Sequence, residues 1–250
     1  STRQPVMVHV EGLPLYVYAG TFDEVAYRYR RFEPATTALF SSVIHPGDTV
    51  LDLGAQFGYY ALLAAQRVGR HGRVYAVEPV PDNIALLERN IRLHQHVGRI
   101  QMIPHAVAEQ CRVQQMFIYH GSDSHSFYRH PRVALRQTIG VDCTTVDDIL
   151  DGLPADLIKM DLEGGEPLAL QGMQHTIAHS PRLVLVAEFA PAYLRRAGTE
   201  PRAYLHQLQQ LGFRLHQIDE ASGMTRPLAA AEAAIPDDPT WRANLYCPRA

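Results

Sequence analysis

Short apolar runs alternate with amphipathic stretches from residue 49 onward, and this alternation restricts the fold more than any other feature of the chain. The apolar runs predict strands at 49–53, 73–77, 100–104, 157–160, 183–187 and 213–218. The amphipathic stretches predict helices at 59–68, 83–93, 167–178 and 201–211. Strands and helices that alternate at this spacing form a parallel sheet with helices on both faces, a Rossmann-like α/β fold. The ligand of such a sheet binds at the carboxyl ends of the strands.

Two segments lie outside this rhythm. Residues 1–45 form an N-terminal extension, with a predicted hairpin at 6–18 and predicted helices at 22–32 and 35–44. Residues 106–148 interrupt the alternation with alternating side chains at 113–119 and a histidine-rich stretch at 120–131. We expect an inserted hairpin and loop that cover the ligand edge of the sheet as a lid; an ordinary surface excursion is the alternative. No repeat or linker divides residues 1–250, so we expect a single domain.

The composition argues against several classes of function. The 250 residues carry a net charge of −3, which offers no basic surface for nucleic acid or an anionic membrane. The sequence has no run of about 18 apolar residues, which a membrane-spanning helix would need. The cysteines, Cys111, Cys143 and Cys247, show no disulfide or zinc pattern and suit a reducing compartment. We therefore expect a cytoplasmic protein with a small-molecule partner, and the oligomeric state stays open, a homodimer included.

A glycine turn follows the strand predicted at 49–53. This strand carries Asp52, turns at Gly54 and leads into a helix after Gly58. Glycine permits the tight turn, and the free N–H groups of the helix start favour a negatively charged group on the ligand. The dinucleotide fingerprint G-x-G-x-x-G needs a further glycine where this chain has Gln56. The loop therefore indicates a nucleotide-like ligand and disfavours a nicotinamide or flavin dinucleotide.

A second acid, Glu78, closes the next predicted strand, twenty residues beyond Gly58. A carboxylate at this point can accept hydrogen bonds from both hydroxyls of a ribose. The alternative is a solvated glutamate at a strand end. The acid on the first strand, the glycine turn and Glu78 together indicate a site for a nucleoside-containing ligand.

Several stretches of the chain resemble one family. They are PGD at 46–48, DLGAQFGYY at 52–60, VEP at 77–79, TVDDIL at 145–150, LIKMDLEGGEP at 157–167 and EF at 188–189, together with Asn83 and Asn90. With these motifs the region 32–189 resembles the FkbM-type methyltransferases, a class I group that uses S-adenosyl-L-methionine and mostly methylates hydroxyl oxygens of natural products and sugars. The family usually has Asn where this chain has Gln56.

The resemblance implies which residues bind the cofactor. Residues of the glycine turn would border its methionine half: Gly54, Ala55, Phe57, Gly58 and Tyr59. Asp52, on the strand before the turn, is a further candidate for cofactor binding. Glu78 would hold the ribose. The adenine would lie beside Pro79, Val80, His105, Ala106 and Val107. Glu33 would bind the cofactor's amino group, unless it is a solvated acid at a helix start.

Charged residues cluster near the strand predicted at 157–160. Lys159, Asp161 and Glu163 alternate, and alternate residues of an extended segment project to the same side. We expect Lys159, the only lysine of the chain, to neutralise a carboxylate or activate an acceptor hydroxyl, while Asp161 faces the transferred methyl group. A buried ion pair that orients the loop is the alternative. His125 is a second candidate base, because histidine titrates near neutral pH.

The expected reaction is O-methylation of a hydroxyl on a sugar or secondary metabolite, in natural-product biosynthesis. Methylation at nitrogen or carbon, a dinucleotide-dependent oxidoreductase and a non-catalytic nucleotide-binding module stay open as alternatives. Asp161 and Glu188 end neighbouring predicted strands and offer oxygen ligands for Mg²⁺. We expect no metal, because the Lys159 ammonium would repel a divalent cation.

Overall fold

The computed structural model describes residues 4–28, 32–95, 98–120, 125–229 and 235–249. In these ranges the strands are β1 (Pro5–Val10), β2 (Leu13–Tyr18), β3 (Thr49–Leu53), β4 (Arg73–Val77), β5 (Ile100–Ile103), β6 (Ala106–Val107), β7 (Arg112–Tyr119), β8 (Leu135–Thr144), β9 (Leu157–Met160), β10 (Val184–Phe189), β11 (His216–Asp219), β12 (Met224–Pro227) and β13 (Ala243–Pro248). The helices are α1 (Phe22–Arg28), α2 (Pro34–Ser42), α3 (Tyr59–Arg67), α4 (Pro81–Leu93), α5 (Val146–Leu150), α6 (Glu166–Gln171), α7 (Gln174–His179), α8 (Pro191–Arg196) and α9 (Pro201–Gln210). The part of the predicted first helix at 29–31 lies outside the described residues.

The central sheet confirms the predicted α/β fold. Its described strands follow the order β12-β11-β13-β10-β9-β3-β4-β5, and β10, β9, β3, β4 and β5 pair in parallel. Strands β9 and β10 are buried along nearly their whole length, as parallel strands covered on both faces must be. Strand β13 inserts antiparallel between β10 and β11.

The core lies in two layers, one on each face of the sheet. Along β3, Val50 packs in one layer and Leu51 in the other, since successive side chains of a strand point to opposite faces. Helices α3 and α4 cover the first face, and α6, α7 and α9 cover the second. The predicted helices on both faces are therefore present. No helix in the described ranges combines the length and the apolar character that crossing a membrane requires.

The N-terminal extension packs against the edge of this core. Strands β1 and β2 pair antiparallel, as predicted for residues 6–18. The hairpin is tied to α4, because the Asn90 side-chain amide accepts from the Tyr16 N–H at 2.7 Å and donates to the Phe57 carbonyl at 2.8 Å. Helix α2 begins at a carboxylate from far along the chain. The Glu220 carboxylate accepts the N–H groups of Ala35 at 2.8 Å and Thr36 at 3.0 Å.

The segment 106–148 contains the predicted hairpin. Strands β7 and β8 pair antiparallel, and the short β6 pairs with β8 to complete a three-stranded sheet. The loop between β7 and β8 returns to the sheet at Ser126, which bridges to Phe117. Residues 121–124 of this loop lie outside the described residues.

Some elements differ from the sequence prediction. The helix predicted at 167–178 divides into α6 and α7, because the Gly172 carbonyl accepts from the Asp147 N–H and the Asp147 carboxylate accepts the N–H groups of His175 and Thr176 at the start of α7. Helices α5 and α8 and strands β12 and β13 were not predicted. Strand β13 lacks a clear alternating pattern, and its pairing with β10 and β11 comes from tertiary structure.

Candidate functional site

A cavity of about 540 Å³ opens at the carboxyl ends of the parallel strands. Every parallel strand of the sheet contributes residues at or just after its end, including Gly54, Glu78, His105, Asp161 and Glu188. This position agrees with the expected ligand edge. The volume falls in the range of pockets that enclose small organic ligands.

The glycine turn forms one wall of the cavity. The N–H groups of Gly54 and Ala55 both donate to the Val77 carbonyl, at 3.0 and 2.9 Å, and this holds the turn against β4. Gly54 has a φ of +83°, and a Cβ atom there would lie 2.1 Å from the Asp161 carbonyl oxygen. Only glycine therefore allows the turn after β3 to touch the turn after β9.

Glu78 is buried with its carboxylate in a fixed orientation. Its Oε2 accepts from the Gln56 N–H at 2.9 Å, and its Oε1 accepts from the Val80 N–H at 2.9 Å and the Asn83 amide at 3.2 Å. Burial raises the pKa of Glu78 to about 7, although these three bonds favour the charged form. Glu78 lines the cavity, and its carboxylate is an oriented acceptor.

The cavity is also lined by the residues that the resemblance implies to lie beside an adenine: Pro79, Val80, His105, Ala106 and Val107. The Nδ1 atom of His105 is buried and has no hydrogen-bond partner among the described residues. Two side chains of the segment 106–148, Met116 and Phe127, line the same cavity. An unpartnered ring nitrogen between apolar walls suits a heterocyclic base.

Other residues predicted from the glycine turn are placed deeper. Phe57 is buried in the core with its ring edge-on to Tyr18, at 5.7 Å between centroids, so its side chain does not form the wall of the 540 Å³ cavity. Asp52 accepts from the Ala61 N–H at 2.9 Å, at the start of α3. Burial raises the pKa of Asp52 to about 7, even with Lys159 nearby. Asp52 and Tyr59 line a smaller cavity of about 40 Å³ behind the turn.

Glu33 is not a solvated acid. It lies just before α2 with a φ of +43°, and its carboxylate lines the main cavity. Its Oε2 accepts from the Tyr60 hydroxyl at 2.5 Å, and its Oε1 accepts from the Asn244 amide at 2.8 Å. The N-terminal extension, α3 and β13 therefore meet at one carboxylate.

A buried cation lies under the acidic end of the cavity. Lys159 is 1% exposed, and its Nζ lies 3.4 Å from Asp161 Oδ2 and 5.2 Å from the centre of the Tyr60 ring. Burial alone would lower the pKa of Lys159, but the carboxylates of Asp161, Glu33, Glu188 and Asp52 outweigh it and raise that pKa. Lys159 is therefore a permanent cation that balances part of the acidic charge.

The acids beside Lys159 converge, although not by the predicted alternation. Strand β9 ends at Met160, and Glu163 lies in a turn with a φ of +54°, so the expectation that an extended segment carries Glu163 is wrong. The turn nevertheless brings carboxylate oxygens of Asp161, Glu163 and Glu188 within 4.8 Å of one another. Burial and the neighbouring carboxylates raise the pKa of Glu188 well above its ordinary value.

His125 also lines the cavity, and its role as a base stays a prediction. Its Nδ1 accepts from the Tyr119 N–H at 3.3 Å. The next residue, Ser126, donates from its hydroxyl to the Glu163 carbonyl at 2.9 Å. The loop after β7 is therefore hydrogen-bonded to the turn that carries Glu163.

Several cavity residues were missed by the sequence prediction, and three of them are polar residues in the last third of the chain: Glu220, Arg242 and Asn244. All three lie beyond the motifs that resemble the family. The one available signal for a site here was that Arg242 and Asn244 precede the apolar stretch 245–247. No local pattern links these residues to residues 33 or 188.

The chain matches known methyltransferases in sequence. The family model described as Methyltransferase FkbM domain matches residues 52–215, about two thirds of the chain. The chain is 32% identical over 120 residues to the 31-O-demethyl-FK506 methyltransferase FkbM of Streptomyces tacrolimicus, a match that covers 44% of each chain. It is 30% identical over 83 residues to the protein-L-isoaspartate O-methyltransferase of Methanococcoides burtonii, covering 32% of this chain and 41% of that one. Both matches span less than half the length of the relative.

The fold is similar to the methyltransferase FkbM from Methylobacillus flagellatus KT, with a TM-score of 0.50 and 17% identity over 91% of this chain and 56% of that one. At this identity the likeness concerns the fold alone. The family model supports more than the fold, because its match includes the glycine turn, Glu78 and the charged residues after β9. It sets aside a dinucleotide-dependent oxidoreductase. The chain belongs to the FkbM-domain family of methyltransferases, enzymes that depend on S-adenosyl-L-methionine.

Proposed function

We propose that this protein methylates a hydroxyl oxygen of a sugar or secondary metabolite in natural-product biosynthesis. The observation that carries the proposal is the position of the Asp161–Lys159 ion pair. Asp161 lies directly against the Gly54 turn, at the acidic end of a cavity whose other end suits a nucleoside. An alcohol needs a proton acceptor when it attacks a methyl group, and a carboxylate held at this point can serve as one.

The residues of the cavity fit S-adenosyl-L-methionine. Glu78 would hold the ribose hydroxyls, and the unpartnered Nδ1 of His105 lies where the adenine would be. The Glu33 carboxylate, which no described cation pairs at close range, would bind the amino group. When bound, the cofactor supplies an electrophilic methyl group on a sulfonium centre.

The chain's own residues would prepare the acceptor. Asp161 would accept the hydroxyl proton at a carboxylate oxygen, and the Lys159 ammonium holds that carboxylate in place through the contact at 3.4 Å. The walls of the cavity would orient the hydroxyl, and such positioning contributes about 7–11 kcal/mol to catalysis. A general base typically adds a factor of about 10²–10⁴ in rate. His125 is the second base in reach of the cavity.

Methylation at oxygen is favoured over nitrogen or carbon for two reasons. An amine acceptor can lose its proton to water and needs no carboxylate as a base, whereas the acidic end of the cavity carries several carboxylates. The names of both curated relatives also specify an oxygen: one is a 31-O-demethyl-FK506 methyltransferase and the other an O-methyltransferase.

A divalent metal is not part of the proposed mechanism. Asp161, Glu163 and Glu188 could offer oxygen ligands. Two cations already neutralise this cluster, Lys159 at 3.4 Å from Asp161 and Arg242 at 3.8 Å from Glu188. At 4 Å and an effective dielectric near 20, each unit of like charge costs about 4 kcal/mol, so a dication would be repelled.

The test uses S-adenosyl-L-methionine with an isotopically labelled methyl group and a panel of sugars and hydroxylated metabolites. NMR of the product identifies the atom that carries the label, and EDTA is included in parallel. We expect a methyl ether and full activity in EDTA. Asp161→Asn should lower kcat about 10²–10⁴-fold with unchanged affinity for S-adenosylhomocysteine, while Asp142→Asn on exposed β8 serves as the control. Label on nitrogen or carbon, or activity lost in EDTA and restored by Mg²⁺, would overturn the proposal.

A further inference from the structure

Two buried oxygen atoms at the acidic end of the cavity lack a hydrogen-bond partner among the described residues. They are Oε2 of Glu188 and Oδ1 of Asn244, in side chains that are 6% and 5% exposed. Both residues line the cavity. Buried acceptors are nearly always paired in folded proteins, so two unpaired ones in a cavity indicate a ligand that donates to them.

The sheet brings the two residues together. Glu188 on β10 and Asn244 on β13 are direct partners in the antiparallel register. Side chains of directly opposed residues project from the same face of a sheet, with Cβ atoms about 4.5–5.5 Å apart. The two oxygens can therefore bind one ligand group, or two adjacent ones.

The orientation of the Asn244 amide follows from its neighbour. Its Nδ2 donates to Glu33 Oε1 at 2.8 Å, and an ionised carboxylate can only accept. The amide oxygen must then be the atom left for a ligand. On Glu188, Arg242 approaches the other oxygen, Oε1, at 3.8 Å, which leaves Oε2. When Glu188 is ionised, both free atoms are acceptors and the ligand must supply the hydrogens.

This pair lies away from the nucleoside end of the cavity. In the strand order β13-β10-β9-β3-β4, Glu78 follows β4 and the Gly54 turn follows β3. With strands about 4.8 Å apart, β10 is about 10 Å and β13 about 14 Å from β3, on the side opposite β4. Asp161 follows β9, between the glycine turn and the pair.

We propose that Glu188 and Asn244 form a recognition subsite for the methyl acceptor, which reads a second hydroxyl group beside the one that is methylated. This inference rests on the proposed function. A neutral donor fits better than an ammonium group, because Arg242 and Lys159 already place two cations beside this acid cluster. The acceptor class is then a polyol with neighbouring hydroxyls, such as a sugar ring.

The first test needs no known acceptor. Glu188→Gln replaces the unpaired Oε2 by an amide group that can donate to Asn244 Oδ1. Neither unpaired acceptor then remains, and we expect the ligand-free protein to be more stable. We expect a rise in Tm of about 2–4 °C and a Kd for S-adenosylhomocysteine within threefold of wild type. Glu88→Gln, which alters an exposed glutamate paired with Arg92, is the matched control.

The results separate the two proposals. A wild-type protein that does not bind S-adenosylhomocysteine would contradict the proposed function itself. A wild type that binds, with affinity reduced tenfold or more in Glu188→Gln, would show that Glu188 holds the cofactor and would overturn the subsite. A lower Tm for Glu188→Gln would assign the pair a structural role, with the same consequence.

The second test compares turnover of methyl glycosides with that of matched monodeoxy compounds that lack the hydroxyl next to the methylated one. A site built to bind a hydroxyl rejects the deoxy analogue by about 10⁴-fold. We expect such a preference in kcat/KM for the wild type and a ratio below about tenfold in Glu188→Gln. Equal turnover of the two compounds by the wild type would refute the reading of a second hydroxyl.

Discussion

The substitution Glu78→Gln tests the nucleoside end of the site most directly. Glutamine has nearly the same shape as glutamate but only one acceptor oxygen. Both oxygens of Glu78 accept a backbone N–H, Oε2 from Gln56 and Oε1 from Val80. Either orientation of the new amide therefore places an NH₂ group against a backbone donor, and the charge that would bind the ribose is lost as well.

The size of the effect follows from these contacts. A hydrogen bond to a charged group contributes about 1.5–3 kcal/mol, and a ribose would make two of them. With one bond lost and one weakened, we expect a loss of about 2–4 kcal/mol. This corresponds to an affinity for S-adenosylhomocysteine that is about 30–1,000-fold lower.

The stability of the ligand-free variant should change less than this. The rise in the pKa of Glu78 from 4.5 to about 7 means that ionisation of this buried group costs about 3 kcal/mol at high pH. Glutamine removes that cost and introduces the unfavourable contact with one N–H group. The two effects oppose each other, so a folded variant is expected and its binding can be interpreted.

Isothermal titration calorimetry with S-adenosylhomocysteine at pH 8 measures the affinity, and circular dichroism with thermal melting checks the fold. Glu88→Gln controls for the loss of a glutamate charge at an exposed position. A folded Glu78→Gln protein whose Kd stays within threefold of wild type would refute the assignment of Glu78 to the ribose.

Three further outcomes are expected. Burial raises the pKa of Glu78, Asp52 and Glu166 to about 7, so each group adds stability below pH 4.5 that is lost as pH rises through 7. Urea unfolding measured across this pH range should show the free energy of unfolding fall, while the affinity for S-adenosylhomocysteine rises. Flat profiles would contradict both expectations. Gly54→Ala should lower the affinity for S-adenosylhomocysteine at least tenfold in calorimetry, because the new Cβ would meet the Asp161 carbonyl. Gly12→Ala has a similar φ of +80° and open space around the new Cβ, so its affinity should be unchanged. Equal affinities for the two variants would refute the role of the contact. Ser126→Ala removes the hydrogen bond to the Glu163 carbonyl and should lower kcat/KM without changing cofactor affinity. Ser42→Ala, at an exposed position, is the control. Unaltered turnover would show that the segment 106–148 is not a lid.

Local patterns in the sequence were sufficient for the parallel sheet and for two residues of the proposed nucleoside end, Gly54 and Glu78. Strands β3, β4, β5 and β9 lie within one residue of their predicted bounds. The Gly54 turn and Glu78 both directly follow such strands, so their positions depend on residues close in sequence. Hydrophobic period and glycine placement act over a few residues, and that is why they can be read without a structure.

Local patterns misplaced the elements whose partners are distant. Glu163 was expected on an extended segment, but packing of Gly164 against the Tyr193 carbonyl places it in a turn. The break at Gly172 depends on Asp147, and the start of α2 on Glu220, which is 185 residues from Ala35. Each of these contacts is invisible to a window of neighbouring residues.

The sequence by itself determined the Rossmann-like sheet, the glycine turn after β3 and the acid that follows β4, because strand and turn propensities are local. Only the tertiary structure decided the acidic end of the cavity. The bond between Glu33 and Asn244 joins residues 211 apart in the chain, and the register of β10 with β13 places Asn244 opposite Glu188. Such pairings are set when the whole sheet closes its hydrogen bonds and buries both its faces, and no stretch of sequence encodes them alone.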